Sequence, residues 1–210
     1  MPIIQDRSES VAASELAIGM ITREHQLVET MLQTLLRLIN DVEKLQSEPD
    51  FPLLAAELNF MEDFQDGHHH PLEEYYLFRP LRRRAPDMIP IMDELNAEYM
   101  RGSAALTEMA HALVRYHGGA QDGFRRFKSI IDTYADMMMG RISVENALHE
   151  RARECLTTEE WLEISCAFEA NSDSPANRVP REELQRLRQR IVLRLPQKFR
   201  TPALREARYF

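Results

Sequence analysis

Hydrophobic residues recur every three to four positions over most of the chain, and no sustained two-residue alternation bounded by turn residues interrupts them. A spacing near 3.6 is typical of amphipathic helices, so the pattern predicts an all-α protein. The predicted long helices run from about Ala13 to Leu45, from Pro52 to Arg84, from just after Pro86 to Gly118, and from Gln121 to Cys155. Because short connections make sequential helices antiparallel neighbours, we predict an up-down-up-down four-helix bundle.

Two shorter elements are predicted after the fourth helix. Thr157 and Glu160 have the spacing of a capping box, which predicts a short fifth helix ending near Ala170. The polar residues 171–180 resemble a linker, and a basic amphipathic helix is predicted from Pro180 to about Leu195.

The length of 210 residues predicts one domain with appendages. We divide the chain into an N-terminal arm (1–14), the bundle with its short fifth helix (15–170), and the linker with the basic C-terminal helix (171–210). The two cysteines are too few for a disulfide framework and fit a reducing cytosol. The first residues are charged and no apolar run could span a bilayer, so we expect a cytoplasmic protein without a membrane partner.

Charge is distributed unevenly along the chain. The formal net charge is −8, with +7 in residues 174–210 and −15 in residues 1–173. An acidic main domain argues against nucleic acid as a partner. We expect the basic C-terminal helix to fold against the acidic body through a stripe of Leu184, Leu187, Ile191 and Leu195, and a groove on another protein is the alternative.

A histidine and a carboxylate lie four residues apart in the second helix, at His69 and Glu73. Side chains with this spacing share a helix face, as a metal site inside a bundle requires. His25 on the first helix and Glu145 on the fourth fall on apolar faces and could join them. Each residue alone has a simpler explanation, a hydrogen-bonded core histidine or a solvated carboxylate, so the metal hypothesis depends on all four.

Four segments carry a resemblance to a known family. They are Arg23-Glu24-His25, the run from His69 to Phe78, the run from Glu94 to Tyr99 leading into Gly102, and the run from Leu156 to Trp161. With these segments the chain resembles the hemerythrin-like, or HHE cation-binding, family over about residues 15–195. Members of that family hold a non-haem di-iron centre with five histidines and two bridging carboxylates, and they bind oxygen or related small molecules.

The resemblance implies that His25 and His69 match the imidazoles of one iron, and that Glu73 and Glu145 match the bridging carboxylates. The ligands of the other iron match Tyr99, a position near Ser103, and Gly140. Serine and glycine are poor ligands or none, so the second iron is expected to be weak or missing. The resemblance then implies a single iron held by the four matching residues, with Tyr99 as a neighbouring donor or a conditional ligand.

Arg141 provides a competing solution, because its guanidinium could replace a metal cation by pairing with Glu73 or Glu145. Two functions therefore stay open. One is a metal protein that binds or senses oxygen, nitric oxide or a related oxidant, or handles iron; the other is a metal-free bundle that acts as an interaction module or a homodimer. Enzymatic activity stays open as well, because the same bundle hosts carriers, sensors and oxidases. His68 and His70 are expected to face solvent or a neighbouring helix, and His149 is expected at the surface.

Overall fold

A computed structural model of the protein describes residues 2–169 and 178–205. These residues form helices and connections without a β-strand, which confirms the predicted all-α class. The helices are α1 (Pro2–Leu45), α2 (Phe51–Phe64), π1 (Gln65–His69), α3 (His70–Leu72), π2 (Glu73–Phe78), α4 (Arg79–Arg84), α5 (Ile89–His117), α6 (Gly123–Cys155), α7 (Thr158–Glu169), α8 (Arg181–Arg194) and α9 (Pro202–Arg205). No helix in the described ranges is both long and apolar enough to cross a membrane.

Local sequence signals explain the starts of α2 and α7. The side chain of Asp50 accepts the backbone N–H of Leu53 at the start of α2. The capping box is present before α7, where Thr157 and Glu160 each accept a backbone N–H from the other. The first helix differs from the prediction, because α1 begins at Pro2 rather than near Ala13.

The core consists of two apolar clusters, and each long helix contributes residues to both of them at different levels along its axis. On α1, one cluster ends at Ile21 and the other begins at Leu27; on the second long helical stretch, Phe64 and Leu72 bound the same gap. The gap holds buried polar residues, among them His25 and His69. A buried polar layer that separates two apolar clusters is therefore the place where this fold can host chemistry.

The basic C-terminal helix α8 packs on the body of the protein. All four residues of its predicted stripe are buried in the apolar cluster that begins at Leu27 on α1, so the expected docking is confirmed; they are Leu184, Leu187, Ile191 and Leu195. At the rim, Arg194 pairs with Asp50 at 2.7 Å. Residues 170–177, which include most of the predicted linker, lie outside the described residues.

Candidate metal centre

Glu24 and His25 lie side by side on α1, and both are buried. Adjacent helical residues are rotated by about 100° from one another. Both can therefore be covered only where the helix is enclosed on more than one side, and α1 meets that condition through its contacts with α2, α6 and α7.

Three consecutive histidines, residues 68–70, are all buried. Of the two predicted alternatives, solvent or a neighbouring helix, the structure supports the second, since His68 pairs with Glu24 on α1 and His70 with Arg141 on α6. The two histidines lie at the junction of π1 and α3, and π2 begins three residues after His70. Each π turn closes from residue i to i+5 and re-aims the side chains that follow, which is a recurrent feature of functional sites. As a result all three imidazoles find partners inside the protein: His68 and His69 contact Glu24, and His70 contacts Arg141.

Pro71 has no N–H, so it cannot donate to the carbonyl of Gly67 four residues earlier. That carbonyl instead accepts the backbone N–H groups of Arg178 at 2.8 Å and Val179 at 3.2 Å. π segments lie on both sides of Pro71, and the released acceptor holds the chain just before α8.

The four predicted ligand residues converge between α1, the π region and α6. One ligand atom from each of His25, His69, Glu73 and Glu145 can be chosen so that all four lie within 4.8 Å of one another. The two Nε2 atoms of His25 and His69 are 3.0 Å apart. Nε2 of His25 lies 3.2 Å from Oε2 of Glu145, and Nε2 of His69 lies 3.4 Å from Oε2 of Glu73.

These separations fit a transition-metal ion. Ligand atoms at about 2.1 Å from one ion are roughly 3.0 to 3.4 Å apart at octahedral or tetrahedral angles. Glu73 supplies a second test, because its side chain is fully buried and, among the described residues, neither oxygen accepts a hydrogen bond; His25 and Arg141 approach it only to 3.6 Å. A buried carboxylate without donors is costly unless a cation compensates it. The donor set therefore fits a bound metal.

Arg141 contacts both carboxylates of the proposed ligand set. Its Nε is 2.6 Å from Oε1 of Glu145 and its Nη2 is 3.6 Å from Oε2 of Glu73. Glu145 thus directs one oxygen to the guanidinium and the other to His25. The guanidinium is 3% exposed, so its charge is held beside the two carboxylates inside the protein.

Tyr99 is in contact with this charged group through His70 and Arg141. Its ring stacks on His70 with centroids 3.5 Å apart, and the guanidinium of Arg141 lies 5.6 Å from its ring centroid. Burial and the neighbouring Asp66 raise the pKa of Tyr99 to about 12, which keeps it a neutral phenol near pH 7. His70 accepts from Arg141 at 3.3 Å; burial and that guanidinium lower the pKa of His70 to about 4.

The pKa values of His25 and Glu73 are shifted far from their ordinary values. Burial alone lowers the pKa of His25, but Glu145 and Glu73 outweigh burial and raise it to about 10. For Glu73, burial raises the carboxyl pKa, and the neighbouring His69, His25 and Arg141 bring it below its ordinary value. Glu73 and Glu145 are thus surrounded by groups whose positive charge they favour, the Arg141 guanidinium and the His25 imidazole.

Sequence reasoning missed two buried residues at this centre. Glu24 accepts from Nδ1 of His69 at 2.8 Å and from Nε2 of His68 at 3.2 Å. His149, expected at the surface, is buried with its ring parallel to that of His25 and the centroids 6.2 Å apart. The available signals were the position of Glu24 directly before His25 and the i, i+4 spacing of His149 from Glu145.

Comparison with known proteins gives one match. The family model described as the Hemerythrin HHE cation binding domain matches residues 16–152, about two thirds of the chain. No curated protein and no solved structure gives a significant match. The matched residues contain all four of the converging side chains.

Proposed function

The chain belongs to the hemerythrin HHE cation-binding family, and from this premise we propose that it holds one non-haem iron ion with His25, His69, Glu73 and Glu145. The bound iron would supply open positions for a small oxidant such as oxygen or nitric oxide. The up-down-up-down arrangement of the four long helices and a cytoplasmic location, consistent with two free cysteines, belong to this proposal.

One observation carries the proposal: four buried ligand atoms from three helical stretches lie within 4.8 Å of one another. Two imidazoles with one or two carboxylates form the ligand set of single ferrous ions with open coordination positions. The chain's own residues would hold the ion, exclude bulk water through the two apolar clusters, and place Tyr99 and His70 beside the carboxylates.

The position of Arg141 supports one metal rather than two. In a two-metal centre both cations share the bridging carboxylates, and here the guanidinium already contacts both Glu73 and Glu145. Arginine cannot lose its proton at accessible pH, so its charge is permanent. Tyr99, which matches a ligand of the second iron, is stacked on His70 instead.

The alternative is a metal-free bundle that acts as an interaction module or a homodimer. The raised pKa of His25, about 10, favours it, because burial is outweighed there by Glu145 and Glu73. A protonated His25 together with Arg141 would balance both carboxylates without an ion. The metal-binding proposal and the metal-free alternative therefore differ in whether a metal ion can displace the proton of His25.

Metal analysis of protein purified without a polyhistidine tag separates the two. We expect about one iron per chain in the wild type, lost in His69→Ala and kept in His111→Ala, whose imidazole is exposed on α5. Anaerobic addition of nitric oxide to the ferrous wild type should change its visible spectrum. Less than about a tenth of an iron per chain, together with the same melting temperature in chelator, would eliminate the metal proposal.

A further inference from the structure

Glu24 is a buried carboxylate beside the centre that is not one of the four converging ligands. Its two oxygens serve different histidines: Oε2 is 2.8 Å from Nδ1 of His69, and Oε1 is 3.2 Å from Nε2 of His68. The opposite nitrogen of His69, Nε2, points at His25. Glu24 therefore contacts the far side of a proposed ligand.

The chemistry of this contact determines which nitrogen of His69 carries a proton. A carboxylate only accepts hydrogen bonds, so Glu24 requires the N–H on Nδ1 and leaves the lone pair on Nε2. A partner of this kind fixes the tautomer and the ring orientation of a metal-binding histidine and makes it a stronger ligand. Glu24 is thus a positioning residue for His69.

Glu24 is also in contact with the C-terminal part of the chain. Nη2 of Arg181, the first residue of α8, lies 3.6 Å from Oε1 of Glu24 and donates to the carbonyl of Phe168. Arg181 is itself buried. A buried guanidinium beside Glu24 stabilises the carboxylate that holds His69.

The backbone just before α8 is attached to the same ligand-bearing turn. Arg178 and Val179 donate their N–H groups to the carbonyl of Gly67, two residues before His69. The contact is close, because a Cβ on Gly67 would lie 2.5 Å from Cγ2 of Val179. Residues 178–181, which we call the docking segment, therefore hold both the π1 turn and the carboxylate that orients its histidine.

We infer that attachment of the docking segment and metal binding at His69 are thermodynamically linked through Glu24, so that each strengthens the other. The inference rests on the proposed function. Linkage requires reciprocity: if the attached segment raises metal affinity by some factor, bound metal must stabilise the attached segment by the same factor. The C-terminal helix thereby becomes a regulatory element of the metal site.

The first test measures the affinity of the full chain for Co²⁺ and the visible spectrum of the Co²⁺ protein. We expect Glu24→Gln to weaken binding by about 10- to 100-fold and to shift the spectrum, because His69 loses its charged partner. Arg181→Met should weaken binding by about threefold or more, and Arg181→Lys should restore it. Arg194→Met is the matched control, since Arg194 binds α8 to Asp50 away from the centre.

The second test uses the wild type alone and is independent of whether a variant folds. Amide hydrogen exchange at Arg178 and Val179 should slow when Co²⁺ binds, while amides at the far end of α8, near Arg194, change little.

Two results would overturn the linkage and leave the proposed function intact. One is wild-type protein that binds Co²⁺ with unchanged exchange at those two amides; the other is an Arg181→Met variant whose affinity for Co²⁺ equals that of the wild type. Wild-type protein that binds no metal overturns both.

Discussion

Arg141 binds Glu145, four residues further along the same helix, through an Nε–Oε1 contact of 2.6 Å inside the protein. The other oxygen of Glu145 lies 3.2 Å from His25. The carboxylate is therefore shared between a permanent cation and the proposed metal position.

Removal of that cation should destabilise the metal-free protein. In Arg141→Met, Glu73 and Glu145 stay buried with only His25 to balance them, so we expect a loss of about 3–5 kcal/mol in the free energy of unfolding by urea. Arg126→Met, which breaks an exposed pair with Glu108, is the control and should change stability by about 1 kcal/mol or less. Equal effects of the two variants would contradict the role given to Arg141.

The stability of the metal-free protein should fall as pH rises from 6.5 to about 10. The Glu145 and Glu73 carboxylates outweigh burial and raise the pKa of His25 in the folded state to about 10, above its ordinary 6.5. The contribution of protonated His25 is complete below pH 6.5 and is lost as pH rises through the folded-state value. Urea unfolding in chelator, compared with His25→Gln, isolates this dependence; parallel profiles for the two proteins would contradict it.

Metal affinity should show the opposite dependence. A metal that binds Nε2 of His25 must displace the proton held there, so one proton is released per ion. We expect the association constant for Co²⁺ to rise by about tenfold per pH unit between pH 6.5 and 8.5. Titration at several pH values in two buffers of different ionisation enthalpy measures both the slope and the proton release. An affinity that does not change with pH would show that His25 is not displaced.

Two glycines should respond in opposite ways to alanine. In Gly67→Ala, the new Cβ would lie 2.5 Å from Cγ2 of Val179, so we expect a loss of about 1–3 kcal/mol as the docking segment is displaced. In Gly140→Ala, the Cβ meets no atom within 4 Å inside α6, so we expect a gain of about 0.5–1 kcal/mol. Thermal and urea unfolding measure both changes. A stabilised Gly67→Ala protein would contradict the close contact.

Much of the fold was predictable because helices are encoded locally. Spacing of apolar residues predicted the long helices, and Thr157 with Glu160 predicted the start of α7. The start of α1 at Pro2 was not predicted, because the first residues carry no strong apolar pattern. The spacing of His69 and Glu73, with the in-phase His25 and Glu145, indicated the four side chains that the structure brings together.

The sequence by itself determined the helices, the stripe of α8 and the candidate ligands, since each depends on residues within a few turns of one another. Only the tertiary structure decided which groups stand around those ligands. Two of these contacts join residues tens of positions apart: Glu24 with His69, and Val179 with Gly67. The burial of His70 and His149 depends on the helices that pack against them. Such contacts depend on how helices rotate and pack, which local periodicity does not specify.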